Sequence, residues 1–407
     1  MVRPALEVAD VIRAHESDLI ASRGSAISAA EWRVLRDIAQ CRTAALGGHV
    51  DRCEQCGHTQ ISYNSCRNRH CPKCQGAARE AWLTEREGEL LPVEYFHIVF
   101  SVPHEIAALA IQNKRVVYNL LFKTSQKTLQ QVARDPKHLG AQIGFLSVLH
   151  TWGQSLEHHP HVHCIVPGGG LSENHARWIP ANPGFFLPVR VLSRLFRGKF
   201  LAGLLLAFDR GALSLQGDLA QLRDRALFRK YLAPLYEKDW FVYAKPPFGG
   251  PAHVLKYLSR YTHRVAISNS RLVALKDGSV SFLWKDYAHQ AKTRVMTLSA
   301  VEFLRRFLMH VLPKGFVRLR HYGFLANPRR EKNLEHLKSL LALVQGDGNC
   351  LALTHDPQHA EGEFEQDSER RARCPRCERG RLITLLVFER GQPVPDLACL
   401  IPANDTS

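Results

Sequence analysis

The chain has 407 residues, of which 54 are Lys or Arg and 38 are Asp or Glu, so it carries a net charge of +16 at neutral pH. That length allows two or three domains with a sizeable core, and the positive excess, spread along the chain, points to a polyanionic partner, nucleic acid first. No apolar run approaches the roughly 18 residues of a membrane span, and no basic amphipathic anchor is present, which argues against a membrane as the partner.

Residues 1–48 read as helical. Ser28 or Ala29 can open a helix whose Trp32, Val34, Leu35 and Ile38 form a partial apolar face beside Glu31, before the break at Gly47-Gly48. The start MVRPALEVAD lacks a signal-peptide pattern. Eleven cysteines, several in C-x-x-C pairs, then fit thiolate metal ligation in a reducing cytoplasm better than disulfides. Residues 49–76 concentrate them. Cys53-x-x-Cys56 and Cys71-x-x-Cys74 are two knuckles, and two knuckles can complete a thiolate tetrahedron around Zn2+. Cys41, His49, Cys66 and His70 remain for a second site, or for a buried thiol and a surface imidazole. Arg67, Arg69 and Lys73 can contact phosphates or simply keep the module soluble. With so few apolar residues, the module is expected to need its metal to fold.

Residues 77–90 read as a charged helix, and residues 95–102 (YFHIVFSV) as a strand ended by Pro103. A helix with Leu109, Val116, Leu120 and Leu121 follows, to about Asp135-Pro136. Residues 143–149 and 164–166 are apolar runs of strand length, and they flank the stretch HTWGQSLEHHPHVH. His161 and His163, two apart, share one face of a strand. His150 ends the preceding run and reaches the same face if the two strands pair antiparallel. Neutral imidazoles ligate metals, and three on a rigid sheet leave positions open for water and substrate. A lone histidine in a strand is more often ordinary packing; the pair with a third nearby is what raises the metal reading.

Gly168-Gly169-Gly170 permits a tight loop, and no G-x-x-x-x-G-K-[ST] phosphate loop occurs, so no nucleotide site of that type is expected. Helix is expected near 188–207 and strand at 240–244. In residues 251–271, Tyr257 and Tyr261 are one helical turn apart and share a face, amid Lys256, Arg260, His263 and Arg264. Packing is the bland reading of that pair; chemistry is the other. Residues 265–267, 271–275 and 280–284 read as strands, the last two joined by Asp277-Gly278, and an amphipathic helix begins after Ser299. Arg318, Arg320, His321 and Tyr322 make a basic, aromatic stretch suited to nucleic acid. Residues 345–372 read as a polar linker. Cys374-Pro-Arg-Cys377 is a lone knuckle, half a zinc site that Cys350, His355, His359, Cys399 or a partner could complete. The element order gives an α+β fold with helices on one face of the sheet.

Four motifs in one order, NSCRNRHCPKC (64–74), LHTWGQSLEHHPHVH (149–163), KYLSRYTHRVAISN (256–269) and RLRHYGFLAN (318–327), together resemble the insertion-sequence ninety-one-like transposases, a branch of the HUH endonucleases. The resemblance covers roughly residues 30–330. It implies a HUH core, a ferredoxin-like antiparallel sheet with helices, preceded by a helical segment and a small zinc-binding module. It implies a domain order of 1–90 (helical, zinc- and DNA-binding), 91–330 (nuclease) and 331–407 (helix, acidic linker and lone knuckle). It implies cleavage of single-stranded or hairpin DNA through a 5′-phosphotyrosine link, with Mg2+ or Mn2+ on His150, His161 and His163 and with Tyr257 and Tyr261 as nucleophiles. Relatives that use Glu, Asp or Gln as a ligand leave Gln154 or Glu157 open as replacements for His150. Lys256, Arg260, Arg264, Arg318 and Arg320 would join Arg67, Arg69 and Lys73 on DNA. No ATP is required, and a cytoplasmic, nucleoid-bound protein is expected.

Three other readings compete. A replication initiator or relaxase would share the chemistry. A non-catalytic zinc DNA-binding protein would form no covalent adduct. A zinc hydrolase is disfavoured, because Ala108 stands where an H-E-x-x-H pattern beginning at His104-Glu105 needs its second histidine.

Overall fold

The computed structural model describes residues 6–75, 88–245, 265–346 and 373–395. They form two compact units: residues 1–74 with 351–407, and residues 75–350.

The first unit opens with helices α1 (Val8–Arg23) and α2 (Ala29–Gln40). Helix α2 starts where the sequence indicates: Ser28 Oγ accepts from the Glu31 backbone N–H at 3.3 Å, and the Glu31 carboxylate accepts from the Ser28 N–H at 2.8 Å. Its Val34, Leu35 and Ile38 are buried, as is the Val8, Val11, Ile12 and Leu19 stripe of α1. A hairpin of β1 (Gly48–Cys53) and β2 (Thr59–Tyr63) follows.

In the second unit, β3 (Tyr95–Ser101) leads into helices α3 (Ala107–Gln112) and α4 (Lys114–Arg134). Strands β4 (Phe145–Trp152) and β5 (His158–Pro167) come next, then the short pair β6 (Gly169–Leu171) and β7 (Trp178–Pro180). Helices α5 (Val189–Asp209) and α6 (Arg225–Glu237) precede β8 (Val242–Lys245). A three-stranded sheet of β9 (Leu272–Lys276), β10 (Ser279–Asp286) and β11 (Lys292–Ser299) runs into α7 (Ala300–Met309). Strand β12 (Leu319–Tyr322) and helix α8 (Arg330–Gly346) complete the unit.

The central sheet has the order β12-β4-β5-β3-β8, with each adjacent pair antiparallel. Strand alternation sorts its residues between two faces. Phe96, Ile98, Phe100, Phe145, Leu149, Val162, Cys164 and Val166 face one way, into a core with Val117, Leu121, Phe122 and Leu129 of α4 and Phe196, Phe200 and Leu204 of α5. Tyr95, Leu146, Val148 and Ile165 face the other way and form a smaller cluster. The fold is thus α+β, with its main helices on one sheet face.

The structure departs from the sequence reading in some strands and at the carboxy-terminal end, and it assigns an element to the basic stretch around Arg320. Residues 265–267 are not a strand, whereas β11, which was not anticipated, pairs with β10 along its whole length. The basic stretch around Arg320 is a sheet strand, with Arg320 opposite Ser147 and Tyr322 opposite Phe145. Residues 331–407 are not one segment, because α8 belongs to the second unit. Strand β13 (Leu382–Phe388) instead pairs with β1 in the first unit, giving the order β13-β1-β2. Buried Asp51 of β1 accepts hydroxyls from both flanking strands, Ser62 at 3.0 Å and Thr384 at 2.9 Å.

Candidate metal centre and cysteine clusters

The turn between β4 and β5 sets a register that puts His150 directly opposite His161 and Val148 opposite His163. All three histidines therefore leave the sheet on the face away from the main core. Their ring centroids are 4.5 Å apart for His150 and His163, 4.9 Å for His161 and His163, and 5.5 Å for His150 and His161. One ligating nitrogen from each lies within 4.8 Å of the other two. Glu157, the open alternative to His150, is exposed in the connecting turn, and the Gln154 carbonyl accepts from the Arg271 guanidinium at 2.6 Å.

Two hydrogen bonds prepare these rings for a cation. His161 Nδ1 lies 2.7 Å from the His159 carbonyl oxygen. A carbonyl can only accept, so Nδ1 carries the proton and Nε2 keeps its lone pair. His163 Nδ1 lies 2.8 Å from Nε2 of His97, with the two rings parallel to within 5°. A His163 that ligates through Nε2 would donate its Nδ1–H to His97. Burial holds His97 down at about 4, helped by the charge of Lys245, so it is neutral and able to accept. The sequence reading missed His97. Its only signal was a histidine inside the otherwise apolar YFHIVFSV run.

The turn beside the histidines is clasped from outside the sheet. Arg306 of α7 donates to the Ser155 carbonyl at 3.0 Å, and His310 Nε2 donates to the Leu156 carbonyl at 3.1 Å. At the β8 edge, Tyr243 stands opposite Val99, and Phe241 stacks on it with ring centroids 6.3 Å apart. These two rings are 44% and 63% exposed on the histidine face, which makes them available to flat partners.

Tyr257, Tyr261, Lys256, Arg260 and Arg264 lie outside the described residues. Among the other cations singled out, Arg67 is exposed at a left-handed position, φ 53°. Arg69 is half-buried. Lys73 is committed to Glu7 at 2.7 Å, with both side chains under a tenth exposed, so it holds the first unit together instead of being displayed to a phosphate. Arg318 donates to Gln75 at 3.2 Å. Arg320 lies 4.1 Å from the centre of the Phe122 ring and donates to Asn119 at 2.6 Å.

The cysteines gather differently from the spacing-based pairing. Cys53 and Cys56 do not join Cys71 and Cys74. One cluster is Cys41, Cys66, Cys71 and Cys74; the other is Cys53, Cys56, Cys374 and Cys377; in each, the four sulfurs lie within 4.8 Å of one another. The reason is the β1–β2 hairpin. It places the first knuckle at one end of the ladder and brings Cys66 back toward the end of α2, where Cys41 caps the helix. In the first cluster, Cys74 Sγ is 3.5 Å from Cys41 Sγ and 3.6 Å from Cys66 Sγ. A tetrahedron with zinc–sulfur bonds of about 2.3 Å has edges of about 3.8 Å, so the thiolates fit a zinc ion. His49, offered for a second site, sits 3.2 Å from Asp51 instead, and neither it nor His70 belongs to a cysteine cluster.

Comparison with known proteins gives the class first. Residues 144–333 match the family described as "Putative transposase", and residues 11–102 match the "Transposase zinc-binding domain". The chain is 53% identical over 390 residues to "Putative transposase y4qJ" of Sinorhizobium fredii, covering 96% of this chain and 97% of that one. It is 28% identical over 293 residues to "Transposase for insertion sequence element IS801" of Pseudomonas savastanoi pv. phaseolicola, covering 70% of this chain and 68% of that one. No solved structure gives a significant match. The chain belongs to the insertion-sequence ninety-one-like transposases that carry a zinc-binding domain.

Proposed function

We propose that this transposase nicks and rejoins single-stranded or hairpin DNA at the three-histidine site, with Tyr257 and Tyr261 as nucleophiles. The observation that carries the reading is the register that sets His150 against His161 and brings His163 beside them on one sheet face. The donors are three imidazole nitrogens within 4.8 Å of one another; nitrogen donors favour a transition ion such as Mn2+, while Mg2+ would keep most of its shell as water and phosphate oxygen. A bound divalent ion would polarise the scissile phosphate and offset the charge that develops there.

The chain's own residues would do the rest. Histidines 150, 161 and 163 hold their lone pairs toward one point, and His97 fixes the ring of His163. A tyrosine oxygen attacks phosphorus and gives up its proton as the O–P bond forms. The P–O3′ bond breaks, and the departing 3′ oxygen takes up a proton. The 5′-phosphotyrosine keeps one phosphodiester's worth of bond energy for the reverse attack by a 3′-OH, so rejoining requires no ATP. Exposed Phe241 and Tyr243 on the same face offer ring surfaces for unpaired bases. Cys41, Cys66, Cys71 and Cys74 hold a structural zinc ion in the amino-terminal module.

The test is an end-derived oligonucleotide incubated with the full chain and Mn2+, followed on a denaturing gel and mapped by mass spectrometry. A denaturant-resistant adduct on Tyr257 or Tyr261 is expected. It should vanish in Tyr257→Phe with Tyr261→Phe, and fall about 10²–10³-fold in His161→Ala with DNA binding retained. An adduct that survives the double tyrosine substitution, or that maps to another residue, refutes the nucleophile assignment. Binding without any adduct favours a non-catalytic DNA-binding protein.

A further inference from the structure

The second cysteine cluster joins segments more than 300 residues apart in sequence: Cys53 Sγ is 3.7 Å from Cys377 Sγ, and Cys56 Sγ is 3.6 Å from Cys374 Sγ. Those separations are far beyond the about 2.05 Å of a disulfide, and they match the about 3.8 Å edge of a zinc tetrathiolate tetrahedron. Each C-x-x-C is folded as a knuckle. In the first, Gly57 N–H bonds to the Cys53 carbonyl at 3.1 Å, with Gly57 at φ +67°, and Cys56 N–H points at Cys53 Sγ at 3.5 Å. In the second, Glu378 N–H bonds to the Cys374 carbonyl at 2.9 Å, with Glu378 at φ 57°. The Arg376 and Gly380 N–H groups point at Cys374 Sγ and Cys377 Sγ, each at 3.4 Å. Backbone donors aimed at sulfur favour the thiolate form that a metal needs.

The two knuckles are also built to meet. Glu54 N–H donates to the Arg381 carbonyl at 3.1 Å, and the Arg381 N–H donates back to the Glu54 carboxylate at 3.3 Å. A Cβ on Gly380 would fall 2.4 Å from Cys53 Sγ, so only glycine lets the second knuckle close on the first. Directly beyond, β13 adds to β1 from Cys53↔Leu382 to Gly48↔Phe388. The sequence match to the zinc-binding domain ends at residue 102 and so does not reach Cys374 or Cys377.

We infer that Cys53, Cys56, Cys374 and Cys377 bind a second structural zinc ion, which fastens the carboxy-terminal strand onto the amino-terminal module and makes the two chain ends one folded unit. Strand β13 buries little apolar surface of its own, since Ile383, Leu385, Leu386 and Val387 are exposed, so the pairing alone does little to hold it in place. The ion would act as a cross-link, closing a loop of more than 300 residues.

The test is zinc content per chain, measured on the full-length His161→Ala/His163→Ala protein so that the imidazoles contribute no zinc. Two zinc ions are expected, and one after Cys374→Ser with Cys377→Ser. Cys374→His should keep two, because a Cys3His set still closes a tetrahedron. As a second readout, a specific protease site is placed between residues 346 and 373. After cleavage, the carboxy-terminal fragment should co-elute with the rest of the chain and be released by a strong zinc chelator. Only one zinc ion per chain while all four cysteines are in place, or two retained in the double serine variant, overturns the site. A fragment that separates while zinc is bound, or that stays after zinc is stripped, overturns the fastening role.

Discussion

His97 shows how one side chain can govern the three histidines proposed as ligands without being one of them. It touches no substrate position, yet its Nε2 sits 2.8 Å from His163 Nδ1 and so decides which nitrogen of that ring is left for a cation. Partners of this kind typically change metal affinity about 10–100-fold. His97→Ala is therefore expected to weaken Mn2+ binding by about 10-fold or more, measured by paramagnetic resonance titration in the absence of DNA. His97→Gln, which keeps an acceptor near the same place, should recover part of the loss. Equal affinities in the two variants, or no loss in either, would mean that His97 merely fills space.

At the scale of elements, the site depends on which strands flank β4 and β5. Strand β12 forms the outer neighbour of β4, and the chain leaves it through Gly323. That glycine has φ +60°, and a Cβ there would lie 1.9 Å from the Ile143 carbonyl oxygen. Gly323→Ala should cost at least about 2 kcal/mol, because left-handed strain adds to a clash with backbone that cannot swing aside. Urea unfolding followed by tryptophan fluorescence would show the loss as a lower midpoint; an unchanged midpoint would mean that the backbone here relaxes freely. The neighbouring Gly315 is a control: it has a similar φ of +70°, but a Cβ there would meet open space. The outer clasp from Arg271, Arg306 and His310 on the 153–157 turn is the complementary support, reaching the same two strands from the other direction.

For the whole molecule, acid should be the most damaging change of conditions. His158 is buried against Tyr118, whose hydroxyl is 2.7 Å from its Nε2. Burial, with the charges of His310 and Lys114, holds His158 down at about 3. An ordinary histidine titrates near about 6.5. Between those values the unfolded chain binds a proton that the folded chain refuses, so stability rises with pH across the window and is lost as pH falls through it. The slope from this residue is at most about 1.4 kcal/mol per pH unit. His158→Gln should flatten the fall of Tm between pH 6.5 and pH 4.5, measured by calorimetry; an unchanged slope would assign the acid sensitivity elsewhere. The net charge of +16 grows further on acidification and adds self-repulsion. None of the described helices is long and apolar enough to cross a membrane.

Local periodicity carried much of this protein into view. His161 and His163 were legible because a strand repeats every two residues, and His150 because an apolar run of strand length ends on it. The start of α2 was legible because Ser28 and Glu31 bond only to their own turn. The hairpin at Asp277-Gly278 was legible because both residues adopt the left-handed backbone its turn requires, φ 49° and +69°. Strand order, by contrast, is set by long-range burial and hydrogen bonding that no short window contains. It alone brought His97 to His163, turned the basic Arg318–Tyr322 stretch into a sheet strand, and gave Cys53 and Cys56 a partner knuckle from the other end of the chain.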